Sequence, residues 1–390
     1  MEEMKDQQRI FFEFLRFCIG TAQEVPSSLK GADWRVLYAM ARKQCLVGVL
    51  FDGIKRLPAD VGMDKGLLFQ WMAQNQTLRK ANARLDKAAV EVAEWFGRKG
   101  FRTCVLKGQG NALLYPSGME RTPGDIDLWV DGGDRKVASF VRSLSPDEKV
   151  CYHHIGFPEY NGVEVEVHFR PSFLFCFRHN RCLQGYYERV MDEQFAHKVK
   201  LGGQGEVAVP KAEFNLIFQL THIFTHLMNE GIGLRQLLDY FFVLKNTDFG
   251  GNTDGDGFLL NTDFTDDTDR IGGNADGVDR RLLQDELRRL GLWEFAGAVM
   301  YIMKEVFGLE DNRLIVPPDV KRGRLVLKEV LEAGNFGQYD KRNWFGHSAL
   351  GHNLQRLYRD MRLVRFFPAE ALSEPFFRIW HFFWRKRIVR

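Results

Sequence analysis

The sequence predicts an α+β chain in which a small mixed sheet is flanked by N-terminal and C-terminal helical domains. Three observations carry that reading. Apolar residues recur every three or four positions up to about Gly100, short β-rich runs replace that period over residues 101–200, and the helical period then returns to the end of the chain. The expected division is therefore a helical segment at 1–100, an α/β core at 101–200 and a helical domain at 201–390.

In the first segment the helical spacing is carried by Trp34, Leu37, Tyr38, Ala41 and Cys45, then by Leu78, Ala81, Leu85, Ala88, Val92 and Trp95. The middle segment contains four β-rich runs: FRTCVL from Phe101, DIDLWV from Asp125, KVCYHHIGF from Lys149 and VEVEVHF from Val163. Residues 109–115 and 135–144 read as helices between them. Asn161-Gly162 suits a tight turn, so the last run is expected to pair antiparallel with the one before it. After a glycine turn at Gly202 and Gly203, helical spacing resumes with Phe214, Ile217, Phe218, Thr221 and His222, and continues through Leu244, over 278–307 and from Val320 onward.

Residues 246–279 break that pattern. Asn-Thr-Asp recurs at 246, 252 and 261, and nine aspartates face one arginine, a composition that predicts a disordered insertion. The Asp254-Gly-Asp256-Gly run has the look of a calcium loop, but it lacks the closing glutamate of an EF-hand and the regular repeat of a calcium-binding β-roll. The whole chain has 390 residues and a net charge of +3, so removing this stretch leaves a moderately basic body of about +11.

With 45% hydrophobic and 27% charged residues, the composition excludes a fibrous or wholly disordered protein, and the charge gives no global field of the histone or ribosomal kind. The six cysteines show no C-x-x-C and no zinc-type spacing, which points to thiols in a reducing compartment. The first residues, MEEMKDQQRIFFEFLRF, begin acidic and resemble neither a signal nor a transit peptide. No uncharged apolar run approaches the roughly 20 residues that span a bilayer. The expected location is cytoplasmic.

The chemistry concentrates in Gly124-Asp125-Ile126-Asp127-Leu128, preceded by Lys107-Gly108. On a strand Asp125 and Asp127 would point the same way about 7 Å apart. Two carboxylates in one small site repel unless a divalent cation neutralises them, and hard oxygen donors suit Mg²⁺ or Mn²⁺ bridging phosphate oxygens. Gly124 would let a ligand approach the strand closely. In VEVEVHF the valines take one face and Glu164, Glu166 and His168 the other. One glutamate could supply a third ligand and a general base; taken alone, the run would equally be an edge strand with a solvated face.

The series LKGQGNALLYPSGMERTPGDIDLWV, HHIGF, VEVEVHF and HIFTH with GIGLRQLLDYFFVL resembles the uncharacterised bacterial nucleotidyltransferases related to the DNA polymerase β-type nucleotidyltransferase fold. The resemblance covers roughly residues 30–245. Its most specific part is L-K-G, a tyrosine and an arginine ahead of the aspartates, and G-D-I-D-L. It implies that Asp125 and Asp127 are paired metal ligands, with Glu166 the third carboxylate and Glu164 the alternative. The broader superfamily presents Gly-Ser or Gly-Gly to the triphosphate, whereas Lys107-Gly108 stands here. A lysine and a glycine opening a helix can still bind an anion. Arg121 either reaches the phosphates or holds its loop.

His153 and His154 are adjacent, so on a strand at most one faces the site. His222 and His226 share a helical face but lack the glutamate of H-E-x-x-H, which rules out a zinc protease. The resemblance suggests that they line the acceptor side with Arg235 and Asp239; a packing cluster is the other reading, and His168 is grouped with them. The C-terminal PFFRIWHFFWRKRIVR mixes basic and aromatic residues, as membrane-surface helices and nucleic-acid platforms do, yet its aromatic spacing favours a docked helix with a solvated basic end.

The expected function is transfer of a nucleoside monophosphate from an NTP to an unidentified hydroxyl or phosphate acceptor, with two Mg²⁺ or Mn²⁺ ions. The competing reading is a nucleotide-sensing or partner-binding module that has lost catalysis. A carboxylate-pair hydrolase fits less well, because adjacent same-face aspartates serve a metal better than a glycosidic bond.

Overall fold

The computed structural model describes residues 2–58, 62–250, 277–342 and 349–388. Four helices come first: α1 (Glu2–Cys18), α2 (Trp34–Lys43), α3 (Val47–Ile54) and the long α4 (Lys65–Arg98). Asp33 and Asp64 cap α2 and α4 by accepting from backbone N–H groups of the first turn. The core follows as β1 (Thr103–Val105), α5 (Gln109–Ala112), β2 (Ile126–Val130), α6 (Gly133–Leu144), β3 (His154–Phe157), β4 (Val165–His168), α7 (Phe177–Ala196), β5 (Lys198–Leu201) and β6 (Gly205–Ala208). The rest is helical: α8 (Ala212–Asn229), α9 (Leu234–Asn246), α10 (Arg280–Arg289), α11 (Trp293–Glu305), α12 (Val320–Ala333), α13 (Ala349–Leu363) and α14 (Pro368–Ile388).

Among the described residues, β1, β2, β4 and β3 form one sheet in that order, with β2 and β4 parallel and both outer pairs antiparallel. The mixed sheet of the expected α+β fold is present, and β3 pairs antiparallel with β4 as the Asn161-Gly162 turn implied. Side-chain alternation gives the sheet two different faces. Ile126, Leu128, Val130, Val165 and Val167 enter an apolar core with α4 and α6. Trp129 points the other way and packs on Phe195 of α7 and Phe214 of α8, with ring centroids 4.7 and 5.7 Å apart. Asp127 shares this second face, so the helical tail forms the other wall of its site. A second core joins α1–α3 with α8, α9 and α11, so buried residues from both ends of the chain pack together.

Three details differ from the sequence reading. Residues 177–196 form the 20-residue helix α7, which the sequence pattern had not suggested. The glycines at 202 and 203 both adopt positive φ and turn the β5–β6 hairpin, so strand structure extends to Ala208. The helix expected over 109–115 is a single turn. The expected disordered insertion falls mostly on residues 251–276, outside the described residues, and so does the calcium-loop run. Its edges are described: Val278 donates its N–H to Asp248 O at 2.8 Å, and Asp279 caps α10.

All six cysteines are free thiols, and among the described residues no helix is long and apolar enough to cross a membrane. Helix α14 docks through Phe377 and Trp384 against Tyr152, at centroid distances of 5.1 and 5.4 Å, while Phe376, Ile379 and Phe383 stay exposed. Where α13 meets α14, Asp360 and Glu374 are buried together. Burial, then the charge and hydrogen bond of Glu374, push the Asp360 carboxyl up to about 8.

An unfolded aspartate titrates near 4, so this contact stabilises the fold fully below about pH 4 and loses its contribution as pH rises through about 8. Melting temperature is therefore expected to fall between pH 5 and pH 9. The Asp360→Asn variant is expected to be more stable than wild type at pH 9 by on the order of 1–2 kcal/mol, with no advantage at pH 4. Parallel pH profiles for the two proteins would contradict the assignment.

Candidate active site

The cleft between the sheet and the helical tail is walled by Lys107, Asp125, Asp127, His222, Arg235 and Phe336, among others. Backbone pairing sets its floor. Leu106 N–H bonds Asp127 O at 3.0 Å, which continues the β1–β2 ladder and brings Lys107 alongside Asp127. Asp125 stands one residue before β2, and Gly124 precedes it. The parallel register sets Glu166 beside Asp127. Glu164 is exposed; its carbonyl accepts from Ile126 N–H at 3.0 Å.

Asp127 is the charged centre of the site, 1% exposed. Its Oδ1 lies 3.0 Å from Lys107 Nζ and 2.9 Å from His168 Nε2, while its Oδ2 is buried without a hydrogen-bond partner. Glu166 joins through His168, with Oε2 3.4 Å from Nε2. Burial opposes every charge here, and the partners outweigh it. It would raise the Asp127 carboxyl, yet Lys107 and His168 hold it below the usual range. It would raise Glu166, yet His168 and His154 hold that group down at about 2. It would lower His168, yet bonds to Asp127 and Glu166 lift the imidazole to about 9. Lys107 is likewise raised against burial by Asp127, Asp125 and Glu166.

Arg121 is fully engaged elsewhere. Its Nε and Nη2 donate to the two oxygens of Asp239 at 2.8 and 2.7 Å, and Tyr115 OH donates to the same carboxylate at 2.6 Å. Of the two roles that the sequence left to Arg121, this geometry is the one that holds the loop, and it consumes Asp239 as well. Arg235 contrasts with it. Its Nη1 donates to Thr122 O at 3.2 Å, its guanidinium lies 5.6 Å from the Phe336 ring centroid, and its Nε is buried without a partner. Burial and neighbouring Arg121 both lower its proton affinity. A Cβ on Gly124 would come within 3.3 Å of Arg235 Nη1, so that glycine makes room for the guanidinium. Gly108 adopts φ +61°, which explains a glycine there; it opens only a one-turn helix, which limits the dipole available to an anion.

The histidines depart from expectation. His153 lies just before β3, where strand alternation does not apply, so both adjacent rings turn to His168. Centroid distances are 4.4 Å for His153–His154, 5.2 Å for His153–His168 and 5.3 Å for His154–His168. Burial lowers both groups, His154 to about 4. In α8, His222 Nε2 meets Lys107 Nζ at 3.0 Å, and His226 pairs with Glu230. Phe336 and Gln219 line the cleft without having been singled out. Phe336 carried one weak signal, its place between glycines in G-N-F-G. It holds φ +50°, a strained conformation for an aromatic residue.

A family model described as an uncharacterised nucleotidyltransferase matches residues 30–259, more than half of the chain. The chain belongs to that nucleotidyltransferase family. No curated protein and no solved structure matches it. The matched range contains the sheet and every cleft residue named above except Phe336, so this nucleotidyltransferase draws one wall of its cleft from beyond the matched segment.

The Arg121–Asp239 pair generates a prediction. Asp239→Asn leaves a buried guanidinium without its counter-charge, at an expected cost of about 3–5 kcal/mol in denaturant unfolding. A change below about 1 kcal/mol would show that the pair does not anchor the loop.

Proposed function

We propose that the protein is a divalent-metal-dependent nucleotidyltransferase that moves a nucleoside monophosphate from an NTP to a hydroxyl or phosphate acceptor held between the sheet and the helical tail. One observation carries this reading: Asp127 and Glu166 stand side by side on two parallel strands within reach of one ion, and Asp125, one residue before β2, lines the adjoining cleft with Asp127, Lys107 and Arg235.

The residues fit the ions that the family implies. Asp127 Oδ2 is a buried oxygen without a partner, and the donors are hard carboxylates. Asp125, Asp127 and Glu166 would hold Mg²⁺ or Mn²⁺, which when bound supplies Lewis-acid polarisation of the α-phosphoryl group and countercharge for the leaving pyrophosphate. The rest falls to the chain itself. Arg235, the cleft cation whose Nε lacks a partner, takes phosphate oxygens, while Arg121 keeps the loop in place. Lys107 neutralises Asp127 in the empty site and transfers its hydrogen bonding to phosphate when nucleotide enters. Glu166, with its charge kept by its imidazole neighbours, suits ligation better than proton abstraction. His222 and Phe336 face the acceptor side.

The competing reading is a module that binds nucleotide without transferring it. It is favoured by the pairing of Asp127 with Lys107 and His168, which already satisfies that charge without a cation.

Thermal shifts with each of the four NTPs separate the two. For a transferase, the matching NTP with Mg²⁺ or Mn²⁺ raises the melting temperature, by about 2.7 kcal/mol in stability at 100-fold excess over Kd. Asp125→Asn should abolish the metal-dependent part, and Arg235→Met should weaken nucleotide binding about tenfold or more. Stabilisation that ignores both metal and Asp125 would favour the binding module.

A further inference from the structure

We propose a second ion site beside the carboxylates, formed by the three histidines His153, His154 and His168 with Glu166 Oε2 bordering two of them, that takes a first-row transition ion in preference to Mg²⁺. The spacing carries it. His153 Nε2 and His154 Nδ1 lie 3.0 Å apart, His154 Nδ1 and Glu166 Oε2 3.5 Å, and Glu166 Oε2 and His168 Nε2 3.4 Å. The ligand atoms offered by the three histidines all fall within 4.8 Å of one another. Donors at about 2.0–2.2 Å from one ion lie roughly 3.0–3.6 Å apart along the edges of its coordination shell. The three histidines come together within that reach, and Glu166 approaches His154 and His168 at the same spacing.

The strand register builds the arrangement. His154 stands directly across the antiparallel β3–β4 ladder from His168, and Glu166 lies two residues earlier on the same face of β4. The backbone carbonyl of His153 accepts from Phe169 and Arg170 N–H groups, at 3.0 and 3.1 Å, and so pins its ring beside the pair. The outer atoms agree. His168 Nδ1 faces Arg170 O at 3.4 Å, the second contact by which a metal-binding histidine fixes its tautomer and turns the other nitrogen inward. His153 Nδ1 is buried with no hydrogen-bond partner, so its hydrogen-bonding capacity is directed inward through Nε2.

Donor chemistry sets the preference. Imidazole nitrogens with one carboxylate suit Zn²⁺, Co²⁺ or Mn²⁺, whereas Mg²⁺ favours an all-oxygen shell. The site borders the transfer centre through Asp127, whose Oδ1 is 2.9 Å from His168 Nε2, and it shares Glu166 with the reading above. It does not use Asp125.

The test uses the full chain, stripped of metal with a chelator and titrated with Co²⁺ while visible absorption and heat are recorded. One equivalent should bind, excess Mg²⁺ should fail to displace it, and His154→Ala should weaken it tenfold or more. Asp125→Asn should leave it within about twofold. On unmodified protein loaded with Mn²⁺, pulsed electron paramagnetic resonance should show coupling to ¹⁴N, which keeps the test independent of how variants fold. Absent nitrogen coupling, displacement by Mg²⁺, or unchanged Co²⁺ affinity in His154→Ala would each overturn the proposal. Failure of the NTP experiment with Co²⁺ binding intact would remove only the transfer reading, and the converse would remove only this site.

Discussion

The arrangement turns on one buried charge. Asp127 sits in the middle of a four-stranded sheet at 1% exposure, where an unpaired carboxylate would neutralise itself or unfold the protein. The fold meets that demand from two directions. β1 delivers Lys107 along its ladder, and β4 delivers His168 two positions beyond the point where Glu166 pairs with Asp127. The parallel alignment of β2 with β4 is therefore a charge requirement as much as a hydrogen-bonding one. A one-residue slip would turn Glu166 and His168 into the apolar core under α4 and α6.

Charge also fastens the helical tail to the sheet. Arg121 and Asp239 come from opposite sides of the cleft, separated by 118 residues, and form a two-pronged pair with Tyr115 on the same carboxylate. Pairs like this add little stability against an apolar replacement, but they fix geometry, because any other alignment strands two charges. The cleft walls are held in register by that pair, while Trp129 between Phe195 and Phe214 supplies the apolar contact. Arg121 is bound to structure, whereas the neighbouring Arg235 keeps a buried Nε without a partner.

Much of this was legible in the sequence because it depends on period and spacing. The paired aspartates, the glutamate strand, the lysine-glycine step and the flanking helices follow from alternation at two or 3.6 residues. What escaped depends on distant partners. Arg121 could not be assigned until Asp239 arrived from α9. The three-histidine cluster around His168 was hidden because His153 lies outside the strand and so escapes its alternation rule. Helix α7 did carry a signal, since Leu183, Tyr186, Tyr187, Val190, Met191 and Phe195 recur at helical spacing, but they are set among many polar residues of FRHNRCLQGYYERVMDEQFA. Phe336 reaches the cleft from about 90 residues beyond the end of α9, through a glycine-flanked turn that no short-range pattern describes.

The two halves of the cluster differ in chemistry in a way that bears on how such a site works. On the Asp125 side the donors are oxygens next to Arg235 and Lys107, a setting that favours a hard ion carrying phosphate. On the Glu166 side the donors are imidazole nitrogens on β4 and at the start of β3, with partial exposure at Glu166 and His154. His168 and Asp127 form the hinge between these halves, since a single 2.9 Å contact links them. A proton on that imidazole and a cation bound to it are alternatives, because both need Nε2. Occupation of the nitrogen side would therefore free Asp127 from His168, leaving Lys107 as its remaining close cation. The two sides of the cluster thus meet at the His168–Asp127 contact, where the charge on one partner sets the charge the other can keep.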